Sequence, residues 1–199
     1  MRSKIMILFF IVGWIPSSIF AGDKKFSKNS FFINLSGHIG TQSYYATTDP
    51  FDKMLPISAS AEIAITDHIG VGTTFTFYKW SDYLGIFGGK FTFQTIQPAV
   101  NIVYHFNFNK LENLDLCVGQ SLGYSFLSIT NELGNDYLGP LKSGLYAAPF
   151  LGFQVYFLNR LSASLKLYWS VIGDYSGISG AIGITYIVTQ KATVRIKPE

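Results

Sequence analysis

The feature that most constrains this chain is a two-residue alternation that recurs in eight runs. Bulky apolar groups hold one parity; small or polar groups hold the other. Successive side chains of a strand point to opposite faces, so each run reads as a strand with two unlike faces. In 31–40 the odd positions include Phe31, Ile33, Leu35 and Ile39, and the even ones Asn34, Ser36 and His38. In 57–65, Ile57, Ile63 and Ile65 oppose Ser58, Ser60 and Glu62. In 69–78, Ile69, Val71, Phe75 and Phe77 oppose Gly70, Gly72, Thr74 and Thr76. In 93–106, Ile96, Val100, Ile102, Tyr104 and Phe106 oppose Gln97, Asn101 and His105. The same contrast returns in 114–126, 145–157, 161–171 and 178–188, where Leu122, Leu151, Leu165 and Ile184 stand against Ser121, Gly152, Ser164 and Thr185.

These runs are the length that a tilted strand needs to cross a bilayer, about 9–11 residues or a little more. Two closed barrels fit them. A soluble, lipocalin-like barrel would hold the apolar face inside around a ligand; a membrane barrel would turn it to lipid. Three observations favour lipid. The second face is rich in Gly, Ala and Ser, which suits an eight-stranded interior with room only for side chains. The charges inside the runs, Glu62, Asp115 and Lys166, all lie on that small, polar face. Aromatic residues gather near run ends, where interfacial girdles form; Phe77, Tyr104, Phe106, Trp169 and Tyr186 are the candidates. The expected fold is therefore all-β, a transmembrane antiparallel up-and-down barrel of about eight strands.

Composition agrees. Charged residues are 14% and aromatics 17% of the chain, against about 25% charged in soluble domains. The net charge of +3 comes with no basic run, so nucleic acid is not an expected partner. Cys117 is the one cysteine, which rules out an intrachain disulfide and a cysteine zinc site. No cofactor motif occurs; Gly70-Val71-Gly72 is followed by no helix and is not a phosphate loop.

Residues 1–21 read as a cleaved signal peptide. Arg2 and Lys4 precede the apolar stretch 5–15, Pro16 and two serines break it, and Ala21 is the cleavage site. Residues 22–30 form a short polar segment set outside the fold, 31–188 the barrel, and 189–199 a periplasmic tail that either trails or lengthens the last strand. The connections 41–56, 79–90 and 129–144 are long and polar, whereas 66–68 and 158–160 are tight. Long extracellular loops and short periplasmic turns are the rule for such barrels, and an even strand count places both termini in the periplasm.

On the signal peptide, on Ala61-Glu62-Ile63-Ala64-Ile65-Thr66-Asp67-His68-Ile69-Gly70-Val71-Gly72 and on Leu158-Asn159-Arg160-Leu161-Ser162, the chain resembles the small eight-stranded outer-membrane barrels of the OmpA/OmpX type. The resemblance spans about 31–188. It implies residence in the outer membrane of a Gram-negative cell, with outer-membrane lipids and the barrel-assembly machinery as partners.

Within the lumen, Glu62, Lys166, Asn101 and His105 are the candidate polar network, with Glu62 and Lys166 expected to meet in a direct ion pair or a shared network because an unpaired buried charge is costly. His38 and His105 face inward as hydrogen-bonded fillers, His68 lies in a turn, and Cys117 is a small core residue. Pro98 and Pro149 fall inside strands, where a bulge or local irregularity is expected. The function expected is a structural or interaction barrel with a side-chain-filled lumen. Tyr44, Tyr45, Tyr83 and Tyr137 in the loops are available to an unidentified ligand. The alternatives are a narrow pore for small solutes or a lipid-A-modifying enzyme. An enzyme is not expected, since no His-x-Ser motif or lipid-facing His is present; no catalytic, metal or cofactor residues are assigned.

Overall fold

The computed structural model describes residues 26–40, 56–84, 89–106, 113–131, 143–171 and 177–189. The eight expected strands form: β1 (Phe31–Gly40), β2 (Ile57–Ala64), β3 (Ile69–Leu84), β4 (Gly89–Phe106), β5 (Leu114–Asn131), β6 (Gly144–Leu158), β7 (Leu161–Ser170) and β8 (Gly177–Thr189). Each pairs antiparallel with its neighbours in sequence, and β8 closes on β1. The expected signal peptide, the tail beyond Thr189 and the tyrosines Tyr44, Tyr45 and Tyr137 lie outside the described residues.

Register fixes the barrel's geometry. Stepping between partners from Leu116 leads to Phe153, Leu165, Ile182, Gly37, Ile57, Phe77, Ile96 and back onto β5 at Phe126, ten residues along. A stagger of that size over eight strands corresponds to a strand tilt of about 40° and an interior just wide enough for side chains.

The bulky parity faces outward. Leu35, Val100 and Ile184 are 64%, 53% and 56% exposed, whereas Asn101, Ser164 and Thr185 are 7%, 4% and 4%. Ile63 and Leu165 are also exposed. This belt runs round all eight strands, far beyond the few hundred Å² of contiguous apolar surface that soluble monomers leave in water.

Three strands run further than the alternation indicated. Most of 79–90, expected as a loop, continues the β3–β4 hairpin to Leu84 and Gly89, and β5 reaches Asn131. Side-chain parity is kept there but chemistry is exchanged. Beyond Phe77, Ile96 and Phe126, the outward residues are Lys79, Ser81, Gln94, Thr92 and Ser128, while Tyr78, Phe91, Phe93 and Ile129 pack together inside with Leu127. This crown is therefore polar outside and apolar inside, the reverse of the belt.

The prolines disturb hydrogen bonding without shifting register. The β4–β5 ladder skips Gln97 and Pro98 and resumes in step, and the β6–β7 ladder begins at Phe150, just past Pro149. Register shifts fall elsewhere, between Phe31 and Phe32 against β8 and between Tyr156 and Leu158 against β7.

Residues 26–30, set apart in the sequence reading, belong to the barrel. Ser30 and Asn29 bond to Ala64 at the end of β2 (Ala64 N–H to the Ser30 carbonyl, 2.9 Å; Asn29 N–H to the Ala64 carbonyl, 2.8 Å). Phe26 is buried inside. The polar residues Ser27, Lys28 and Asn29 masked this single apolar anchor.

Candidate functional site

The lumen is filled by tiers of polar side chains, each tier joining several strands. Asn34 on β1 donates to Ser164 Oγ on β7 and Thr185 Oγ1 on β8, both at 2.8 Å. Gln154 donates to Ser162 Oγ at 2.7 Å, and Gln97 to Ser125 Oγ at 2.8 Å. Asn101 donates to Thr74 Oγ1 and accepts from Ser121 Oγ, both at 2.6 Å. His38 Nε2 meets Ser58 Oγ at 2.5 Å. Buried polar groups are costly unless paired, and these pairings hold side chains of separate strands in one geometry.

The charged groups form one further cluster. His105 on β4 lies between two carboxylates, with Nε2 2.8 Å from Glu62 Oε1 and Nδ1 2.6 Å from Asp115 Oδ2. Ionised carboxylates only accept, so the doubly protonated ring is the one form that donates to both at once. Glu62 stands on β2 and reaches His105 across β3. Gly70 opens that path: a Cβ there would collide with the Glu62 carboxylate. The first glycine of the β3 pair thus clears room for an ion pair, and a Cβ at the second, Gly72, would collide with the Ala61 carbonyl of β2.

Lys166 joins the cluster without a direct ion pair to Glu62. Among the described residues it has no ion-pair partner, and Glu62 bonds His105 instead. Lys166 Nζ lies over the Phe150 ring, 5.2 Å from its centroid, a cation–π arrangement. Its stem borders Gly152, where the Cys117 sulfur fills the space that a side chain would need. Glu62, His105 and Lys166 nevertheless border one cavity of about 20 Å³, with Phe26, Phe32, Asn34, Gln154 and Tyr156 among its walls. Asn101 sits apart in its own tier. The expected four residues are therefore divided: three share a chamber, one does not.

Asp115 and the aromatic lining were not in the expected network. Asp115 carries inward parity two residues from Cys117, so its face was legible; its partner was not, because the β4–β5 register depends on a connection that alternation cannot set. Phe26 stacks on His105 with centroids 3.6 Å apart. Phe32 stacks on Phe26 in turn at 5.3 Å.

The five girdle candidates all point outward. Tyr104, Phe106, Trp169 and Tyr186 are exposed, and Phe77 is half-buried beside its partner Ile57. Tyr104 packs edge-on against Phe106 and stacks with the exposed His68. Among the described residues no group of three or more His, Cys, Asp or Glu is arranged to hold a metal ion.

No family model and no curated protein matches the chain. Solved structures do. The outer membrane protein OprG of Pseudomonas aeruginosa is 12% identical with a TM-score of 0.55, over 84% of this chain and 100% of that one. Ail, the attachment invasion locus protein of Yersinia pestis, is 13% identical with a TM-score of 0.52, over 80% and 99%. Neisserial surface protein A is 14% identical with a TM-score of 0.52, over 79% and 95%. At these identities the likeness concerns the fold: the chain has the closed, antiparallel, eight-stranded architecture of the small outer-membrane β-barrels of the OmpA/OmpX type.

Proposed function

We propose that the chain is an integral protein of a bacterial outer membrane, a structural or interaction barrel that holds a closed lumen and carries its longer strands out of the bilayer. The apolar belt carries this reading. Outward Ile, Leu, Val and Phe on every strand would be unfavourable in water by about 25 cal/mol per Å², and lipid removes that penalty. Closure satisfies the sheet's edges, as a hydrocarbon surround demands. The crown supports the interaction half: with polar residues outside and aromatics inside, it suits water above the headgroups.

In this reading 66–68 and 158–160 are periplasmic turns, and the long connections face outward, available to an unidentified ligand. Ail, by its name an attachment invasion protein, has the same fold. Outer-membrane lipids and the barrel-assembly machinery are the remaining partners. A narrow pore is the second reading, favoured by the charged chamber; planar-bilayer conductance separates the two, with no steady current expected from the intact protein. Lipid A modification is not proposed, since His38 and His105 both face the lumen, away from lipid.

Membrane fractionation with heat-modifiable migration on a gel tests the main reading. The protein should sediment with outer membranes and migrate differently before and after boiling. Recovery in the soluble fraction would end the proposal.

A further inference from the structure

Residues 26–30 do more than begin the first strand. Asn29 and Ser30 extend the pairing along the end of β2, and the backbone then reverses. Asn29 takes φ of 70°, a left-handed conformation that Asn tolerates and β-branched residues resist. The Ser30 N–H bonds back to the Ser27 carbonyl at 3.0 Å, and the Lys28 N–H is held by Asp67 Oδ1 at 2.8 Å in the β2–β3 turn. This reversal turns the chain inward and delivers Phe26 into the barrel. Its ring lies nearly parallel on His105, 14° apart, and the rest of it meets Phe32, Ala64, Tyr156 and Ile187. Ile187 and Tyr156 are themselves almost wholly buried.

We propose that residues 26–30 are a built-in stopper, with Phe26 as its head, sealing the end of the barrel that carries the tight turns over the chamber of Glu62, His105 and Lys166. Three features assign this role rather than incidental packing. The ring covers the one charged cluster that the described residues form in the lumen. The strap is tied at two separate places, the end of β2 and the β2–β3 turn. The cavity behind it is bounded by Phe26 on one side and by Glu62, Gln154 and Lys166 on others. Removing the ring exposes a polar, charged mouth at that end, and covering it excludes water from the ion pairs, which strengthens them.

Cys117 is a native reporter. It is the register partner of His105 on β5, 3% exposed, and like the Lys166 stem it borders Gly152. The experiment follows its modification by methyl methanethiosulfonate, read by mass spectrometry, in full-length processed protein in detergent micelles. Retained heat-modifiable migration shows that each variant is folded. The intact protein should react far more slowly than urea-unfolded chain. Phe26→Ala removes the head; Asn29→Pro forbids the left-handed turn and its N–H bond while leaving the Phe26 side chain in place. In either folded variant the rate should rise about tenfold or more, as expected when a local closed state is lost. If both variants fold and keep the rate of the intact protein, or if the intact protein already reacts as fast as unfolded chain, the segment is not a seal.

Discussion

The belt and the crown are built on the same strands with opposite chemistry. On β4, Val100 and Ile102 face outward while Asn101 and Gln97 face inward; ten residues earlier in that strand Thr92 faces outward while Phe91 and Phe93 face inward. Backbone pairing continues unbroken through the change on the β3 side. A strand's hydrogen bonds do not care which solvent surrounds it, but its side chains do. In the proposed membrane setting, the exchange across Phe77, Ile96 and Phe126 traces where the surroundings pass from lipid to water.

The belt's interior should show the largest response. His105→Leu leaves Glu62 and Asp115 facing each other without the group between them, and loss of one partner from a buried ionic cluster costs about 3–5 kcal/mol. Urea unfolding of the barrel in lipid vesicles reads this directly. Val100→Arg comes next: a cation facing lipid near mid-depth costs about 2–4 kcal/mol in the same assay. Phe93→Ala empties part of the crown cluster. Truncation of a packed Phe costs about 3–5 kcal/mol locally, but the loss should stay in the crown. Hydrogen exchange should quicken at 79–84 and 89–94 by tenfold or more, while global unfolding moves by less than about 1 kcal/mol. Gln94→Arg, outward on the crown, should change stability by no more than about 0.5 kcal/mol. Equal penalties for Val100→Arg and Gln94→Arg would erase the distinction between the two regions.

The alternation made the belt legible residue by residue, because each strand there keeps one pattern over the thickness of a bilayer. The crown was hidden by the same rule. Lys79, Ser81 and Lys90 look like loop residues when the expected outward face is apolar, although Tyr78, Phe91 and Phe93 keep inward parity. The inward placement of Glu62, Lys166, Asn101 and His105 was readable from parity alone. Which of them touch was not, since contact depends on register across β3 and on the space that Gly70 leaves. Glu62 could be matched to Lys166 by height above the turns, yet His105 lay nearer. Phe26 escaped notice because one aromatic residue among Lys25, Ser27 and Lys28 has no periodic partner; only the turn at Asn29 gives it a destination.

The orientation of the belt toward lipid is tested most directly by methyl NOE spectroscopy of the protein in phospholipid nanodiscs. Cross-peaks should join the methyl groups of Ile63, Val100, Leu165 and Ile184 to lipid acyl-chain methylenes, with none from those methyls to bulk water. Cross-peaks to water, or contacts among these four across a shared interior with no signal from lipid, would contradict the account.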